Sequence, residues 1–120
     1  MEKEKLRETP TKNDLDTTKE MDWKVYIVRC SDDTYYTGIT TDMDRRLNEH
    51  NSGKGAKYTR SRTPVELEES KGFPDRSSAS KEEYRIKQLS RTQKEELIGQ
   101  WRLNRLKEEY VYDPSKGESA

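Results

Sequence analysis

The sequence predicts a small α+β domain with a sandwich-like arrangement: a three-stranded antiparallel sheet flanked by about three helices, in the order β-β-α-β-α-α. Three features support this. Two short apolar and aromatic runs, Trp23 to Val28 and Tyr35 to Ile39, flank the polar stretch Ser31-Asp32-Asp33-Thr34 and read as a hairpin. Apolar residues then recur at helical spacing behind capping residues. Finally, a chain of 120 residues that is 28% hydrophobic and 40% charged can build only a compact, local core.

Met1 to Met21 is polar, patternless and of mixed charge, and is expected to be a flexible leader; it lacks an apolar signal core, so secretion is not expected. The domain proper is expected over residues 22–100, with a helical extension and polar tail over 101–120. Trp23 to Val28 is β-branched and aromatic, as strands are. Ser31 to Thr34 has turn chemistry, and Tyr35 to Ile39 is the returning strand, weakened by Gly38 unless something needs close backbone approach. Thr40 or Thr41 can N-cap a helix to about Asn51, with Asp42 and Asp44 favouring its first turn. Ser52-Gly53-Lys54-Gly55 ends that helix, and Ala56 to Thr63 reads as a basic loop. Pro64 to Ser70 is the third strand, broken by Gly72-Phe73-Pro74. Asp75 or Ser77 starts a helix over about Ser78 to Leu89. Ser90 or Thr92 starts the last one, with Thr92 and Glu95 spaced as a capping box, and it runs toward Leu106.

Composition narrows the function. No apolar run approaches the ~20 residues of a membrane span. Cys30 is the only cysteine, which excludes an internal disulfide and fits a reducing cytoplasm. No cysteine or histidine cluster suggests zinc. Net charge is zero, but between Arg45 and Arg62 six basic residues face a single acid, Glu49. Such a segment on a neutral chain signals local anion binding.

The first helix allows a choice between its two arginines. Met43 and Leu47 mark its buried stripe. At about 100° per residue, His50 lies roughly 40° and Arg46 roughly 80° from the stripe's centre, on the same side, and Arg45 about 180° away. Arg46 and His50 are therefore assigned to the inner side, against the hairpin, and Arg45 to solvent. Tyrosine, arginine and histidine converging from separate elements suit chemistry on a phosphate, which needs proton transfer and cations. The plainer alternative is that the tyrosines are strand residues and His50 a hydrogen-bonded helix-end histidine.

Tyr26, the run Tyr36-Thr37-Gly38, and Arg46 and His50 at 10 and 14 residues after Tyr36 resemble the GIY-YIG nuclease superfamily. Tyr36 to Leu47, Ser52 to Lys57 and Glu83 to Leu89 are similar to its small single-domain bacterial group typified by YhbQ. The likeness covers about Asp22 to Gln100. Lys24-Val25-Tyr26 replaces Gly-Ile-Tyr, and Thr37 stands where Ile or Val is usual, but both tyrosines are kept.

The resemblance implies a metal-dependent DNA endonuclease or exonuclease that hydrolyses phosphodiester bonds, with a role in DNA repair or processing. The alternative is a nucleic-acid-binding module of the same fold with weak or no catalysis. Tyr26 and Tyr36 would flank the attacking water, one of them taking its proton. A phenol with a pKa near 10 is a poor base unless cations lower it, and Arg46 and the metal would supply that shift. Arg46 would also neutralise charge growing on the phosphate. His50 would orient Tyr36 or relay a proton, and Gly38 would leave room beside the phosphate. One divalent ion, Mg²⁺ or Mn²⁺, would be held by a single carboxylate plus waters. The helical wheel places Glu82 nearer the apolar centre, whereas the family pattern points to Glu83, which is preferred. Lys54, Lys57, Tyr58, Arg60 and Arg62 would hold the nucleic-acid backbone, with Tyr58 available to stack on a base. The expected partner is DNA, with RNA and branched or single-stranded forms as alternatives, and the expected state is a cytoplasmic monomer.

Overall fold

The computed structural model describes residues 21–109; the expected leader up to residue 20 and the polar tail from residue 110 lie outside the described residues. Strand β1 (Trp23–Arg29) pairs antiparallel with β2 (Tyr35–Thr40). Their turn is closed by the Cys30 N–H on the Thr34 carbonyl (2.7 Å) and the Asp33 N–H on the Cys30 carbonyl (2.9 Å). Asp33 takes the left-handed conformation, φ 70°, which short polar side chains tolerate better than most. Strand β3 (Glu66–Phe73) pairs with the other edge of β1, so the sheet order is β2-β1-β3.

The third strand begins and ends later than expected. Pro64 has no N–H to give a ladder. At the far end Gly72 stays paired with Lys24 and Phe73 with Trp23, so the break falls at Pro74. A bulge leaves Glu68 without a partner: Ile27 faces Glu69 and Val28 faces Leu67.

Successive β1 side chains point to opposite faces of the sheet. Val25 and Ile27 pack with Ala79 and Ile86 of α3 (Arg76–Lys87) and with Ile98 and Trp101 of α4 (Arg91–Glu109). Tyr26 and Val28 pack with Cys30, Val65, Tyr36, and Met43 and Leu47 of α1 (Met43–Asn51). Cys30 is thus a small core residue. Helix α4 passes residue 100 without a break, and Trp101, 5% exposed, belongs to the core. Arg102 and Arg105 of α4 donate to the buried Glu69 carboxylate at 3.0–3.2 Å, tying the helix to β3. Burial alone would raise the Glu69 pKa, but the two guanidiniums outweigh it and hold the carboxyl below its usual range.

Of the expected caps, Asp75 starts α3, its carboxylate accepting from the Ser78 N–H, and Ser90 starts α4; the others differ. Helix α1 is capped by Asp42, whose carboxylate accepts from the Arg45 N–H at 3.0 Å. The Thr40 hydroxyl is spent on the Asp42 N–H, two residues too early to cap the helix. In α4 the capping box is Ser90 with Gln93, each side chain accepting from the other's N–H. Glu95 instead pairs with Arg91 at 3.0 Å. A one-turn helix, α2 (Lys57–Arg60), interrupts the expected loop.

Helix α1 ends in a Schellman arrangement: the Lys54 N–H bonds the Glu49 carbonyl, the Gly53 N–H bonds the His50 carbonyl, and Gly53 has φ 81°. A Cβ at Gly53 meets open space, so Gly53→Ala carries only the conformational cost. Urea denaturation is expected to show a loss of about 1 kcal/mol. An unchanged midpoint would mean that α1 does not end in this way.

Candidate functional site

Four polar side chains meet beneath α1. The Tyr26 hydroxyl lies 2.8 Å from His50 Nε2, and Arg46 Nε donates to the same hydroxyl at 3.3 Å. His50 Nδ1 lies 2.8 Å from Thr59 Oγ1. Arg46 and His50 reach Tyr26 together because they are one helical turn apart on the face beside the Met43–Leu47 stripe. Arg45, on the far face, is 53% exposed. Tyr26, His50 and Thr59 have no exposed surface, whereas Arg46 is 26% exposed.

Burial changes what these groups can do. Arg46 by itself does not bring the Tyr26 phenol down: desolvation dominates over it and pushes the pKa up to about 12. Burial, assisted by the Arg46 charge, pushes the His50 imidazole below its ordinary value, so it is neutral at pH 7. His50 bonds Tyr26, not Tyr36, whose ring it meets edge-on at 5.5 Å. The space over Gly38 is also taken, since a Cβ there would fall 2.6 Å from Cζ of Tyr26. Gly38 therefore makes room for the tyrosine ring, the close approach that its place in a strand suggested.

Tyr36 is half-buried, and its hydroxyl makes no hydrogen bond among the described residues. Its ring lies 6.4 Å from that of Tyr26, stacks on Tyr58 at 5.9 Å, and has the Lys87 ammonium 5.6 Å from its centroid. Lys87 also pairs with Glu83 at 3.1 Å. Glu83 is near enough to contribute to the raised Tyr26 pKa. Glu82 is instead gripped by Nε and Nη2 of Arg85, at 2.9 and 2.6 Å.

The six basic residues of segment 45–62 divide in two. Arg45 and Arg46 share Glu49, at 2.7 and 2.9 Å. Arg62 is committed to Asp32 (2.9 Å) and the Tyr58 carbonyl (2.7 Å), with its guanidinium 3.9 Å from the Tyr58 centroid. Tyr58 is thus occupied by Tyr36 and Arg62, which leaves little ring face for a base. Lys54, Lys57 and Arg60 are exposed and form no ion pair among the described residues.

Residues 22–96 match the GIY-YIG catalytic domain. The chain belongs to the GIY-YIG family. Its relatives include UPF0213 proteins of Halobacterium salinarum, 63% identical over 62% of this chain and 96% of that one, and of Desulfotalea psychrophila, 61% identical over 63% and 70%. The solution structure of UPF0213 protein BH0048 from Bacillus halodurans is similar, at 51% identity, TM-score 0.43, and coverage of 64% of this chain and 82% of that one. By sequence identity, kinship lies with the UPF0213 proteins.

The sequence resemblance implies one divalent ion, so the donor set matters. Among the described residues no three His, Cys, Asp or Glu side chains cluster to cage an ion. A hard ion of the Mg²⁺ kind needs only one or two carboxylates, with water and phosphate oxygens completing its shell. Glu83, half-buried and unclaimed by arginine, fits that requirement better than Glu82. No described helix is long and apolar enough to cross a membrane.

Four residues of this GIY-YIG site were not singled out from sequence. Glu49 and Lys87 were detectable, as i+3/i+4 partners of Arg45, Arg46 and Glu83. Thr59 left no signal, because a threonine in a polar segment looks like any loop residue. Gly55 is required since a Cβ would press on His50, 2.8 Å from its Cα.

Proposed function

We propose that this GIY-YIG protein, of the small single-domain YhbQ-like kind, binds nucleic acid in the cytoplasm as a monomer and cleaves it weakly or not at all unaided. The observation that carries this reading is a division of the site. Lys54, Lys57 and Arg60 stand exposed on the segment that stacks against Tyr36, while Tyr26 and His50 are sealed beneath it. Cations of this kind bind the phosphate backbone without reading sequence. DNA is the favoured ligand, and RNA or branched forms share its phosphate chemistry.

A second reading, hydrolysis of phosphodiester bonds, is favoured by Glu83. There Glu83 would hold Mg²⁺ or Mn²⁺, which when bound supplies a Lewis acid for the phosphate oxygens. Tyr36, the phenol with a free hydroxyl, would orient the attacking water. Arg46 would neutralise charge on the phosphate as the water oxygen joins phosphorus and the bond to the leaving sugar oxygen breaks. The proton lost by the water passes to solvent, and the leaving oxygen takes one up.

One experiment separates the readings: labelled single- and double-stranded DNA titrated across salt, beside cleavage assays with Mg²⁺, Mn²⁺ or chelator. Three phosphate contacts are expected to give a log–log salt slope of about −2 on single strands, reduced by about 0.7 in Lys57→Gln. Affinity indifferent to salt would end the binding proposal. Metal-dependent cleavage that disappears in Glu83→Ala, Arg46→Ala and Tyr36→Phe would move the conclusion to hydrolysis.

A further inference from the structure

We propose that Thr59 is a positioning residue: it fixes the tautomer of His50 and thereby the direction of a buried hydrogen-bond chain that holds Arg46 at the edge of the site. This deepens the function proposed above and rests on it for its biological meaning.

The hydrogen inventory leaves one solution. The Thr59 hydroxyl has a single proton, and it donates this to the Ala56 carbonyl at 2.9 Å. A carbonyl only accepts. Thr59 Oγ1 must therefore accept from His50, which places a hydrogen on Nδ1. His50 is fully buried and bonds no carboxylate, so the ring is neutral and Nε2 is bare. Nε2 then accepts from the Tyr26 hydroxyl.

The other end of the hydrogen-bond chain favours the same direction, and with Thr59 in place the two ends agree. Arg46 only donates, so Tyr26 oxygen accepts from it. If His50 carried its hydrogen on Nε2, Tyr26 oxygen would accept twice and its own proton would be stranded in a fully buried place. All donors thus run one way, from Arg46 through Tyr26 and His50 to Thr59 and the Ala56 carbonyl.

The local backbone is built to deliver Thr59. The turn α2 begins just after Ala56, and its Thr59 and Arg60 N–H groups both bond the Ala56 carbonyl that takes the hydroxyl. Gly55 lets that segment lie against His50. A stretch that reads as a basic loop therefore also orients the arginine one layer away.

The test is made on the free protein, so it stands apart from whether nucleic acid binds. His50 is the chain's only histidine, which makes its ¹⁵N-imidazole signals unambiguous. Wild type is expected to show the hydrogen on Nδ1 at neutral pH. Thr59→Val should lose that single tautomer and speed exchange of the Arg46 Nε hydrogen at least tenfold, and Thr59→Ser should restore both. A wild-type hydrogen on Nε2 would overturn the proposal even if Thr59→Val does not fold. So would a folded Thr59→Val protein with an unchanged tautomer and an unchanged Arg46 exchange rate.

Discussion

Trp101→Ala is expected to lose about 3–5 kcal/mol of stability, the usual cost of removing a buried aromatic side chain. Trp101 lies in one buried cluster with Ile98, Ile86, Ala79, Val25 and Ile27, which brings α4, α3 and the central strand together. Little around it can collapse into the gap, because β1 is held by ladders on both edges. The measurement is urea unfolding followed by far-ultraviolet circular dichroism, with the midpoint and slope both reported. A loss under 1 kcal/mol would mean that α4 beyond residue 100 is not part of the cooperative unit. Ending the domain at residue 100 would remove the same ring, together with the two arginines that hold Glu69.

His50→Ala is expected to cost about 3 kcal/mol or more. It opens a cavity in a fully buried place and leaves the Tyr26 proton without an acceptor. His50→Gln, which can accept and donate along the same line, should cost less. The two proteins also differ in their response to acid. Burial and Arg46 depress the His50 pKa, while Glu49 opposes them only weakly. The unfolded chain takes up a proton near pH 6.5, and the folded one resists it. The unfolded state then binds more protons, so stability is intact above about pH 6.5 and falls as the pH drops below it toward the folded pKa. Melting temperatures from pH 7.5 to 5 should therefore fall more steeply for wild type than for His50→Gln. Equal slopes would show that His50 is not held neutral.

Much of this fold was legible because its signals are strong and local. The hairpin follows from two β-branched and aromatic runs around an Asp-rich turn, and Met43 with Leu47 set the phase of α1 well enough to send Arg46 and His50 inward. The exact caps were not legible. Thr40, Thr41 and Asp42, like Ser90 and Thr92, are all competent capping residues, and only the tertiary path chooses among them. The turn α2 is too short to show a period, and the bulge at Glu68 changes no composition. At the site, the identities of the converging groups could be read, but their chemistry could not. Whether cations or burial govern a phenol depends on depth: at Tyr26 burial wins, and at Tyr58 and Arg62 mutual contact takes up groups that look free in a sequence.

The carboxylate shared by Arg45 and Arg46 gives Arg46 an incumbent. A chloride or a single small phosphate competing for Arg46 offers little that Glu49 does not already provide at 2.9 Å. A polymer is different, since it can engage Lys54, Lys57 and Arg60 at the same moment and so displace the incumbent with several charges at once. On the proposed nucleic-acid reading, Glu49 would set an entry threshold that favours polyanions over the salt of the cell.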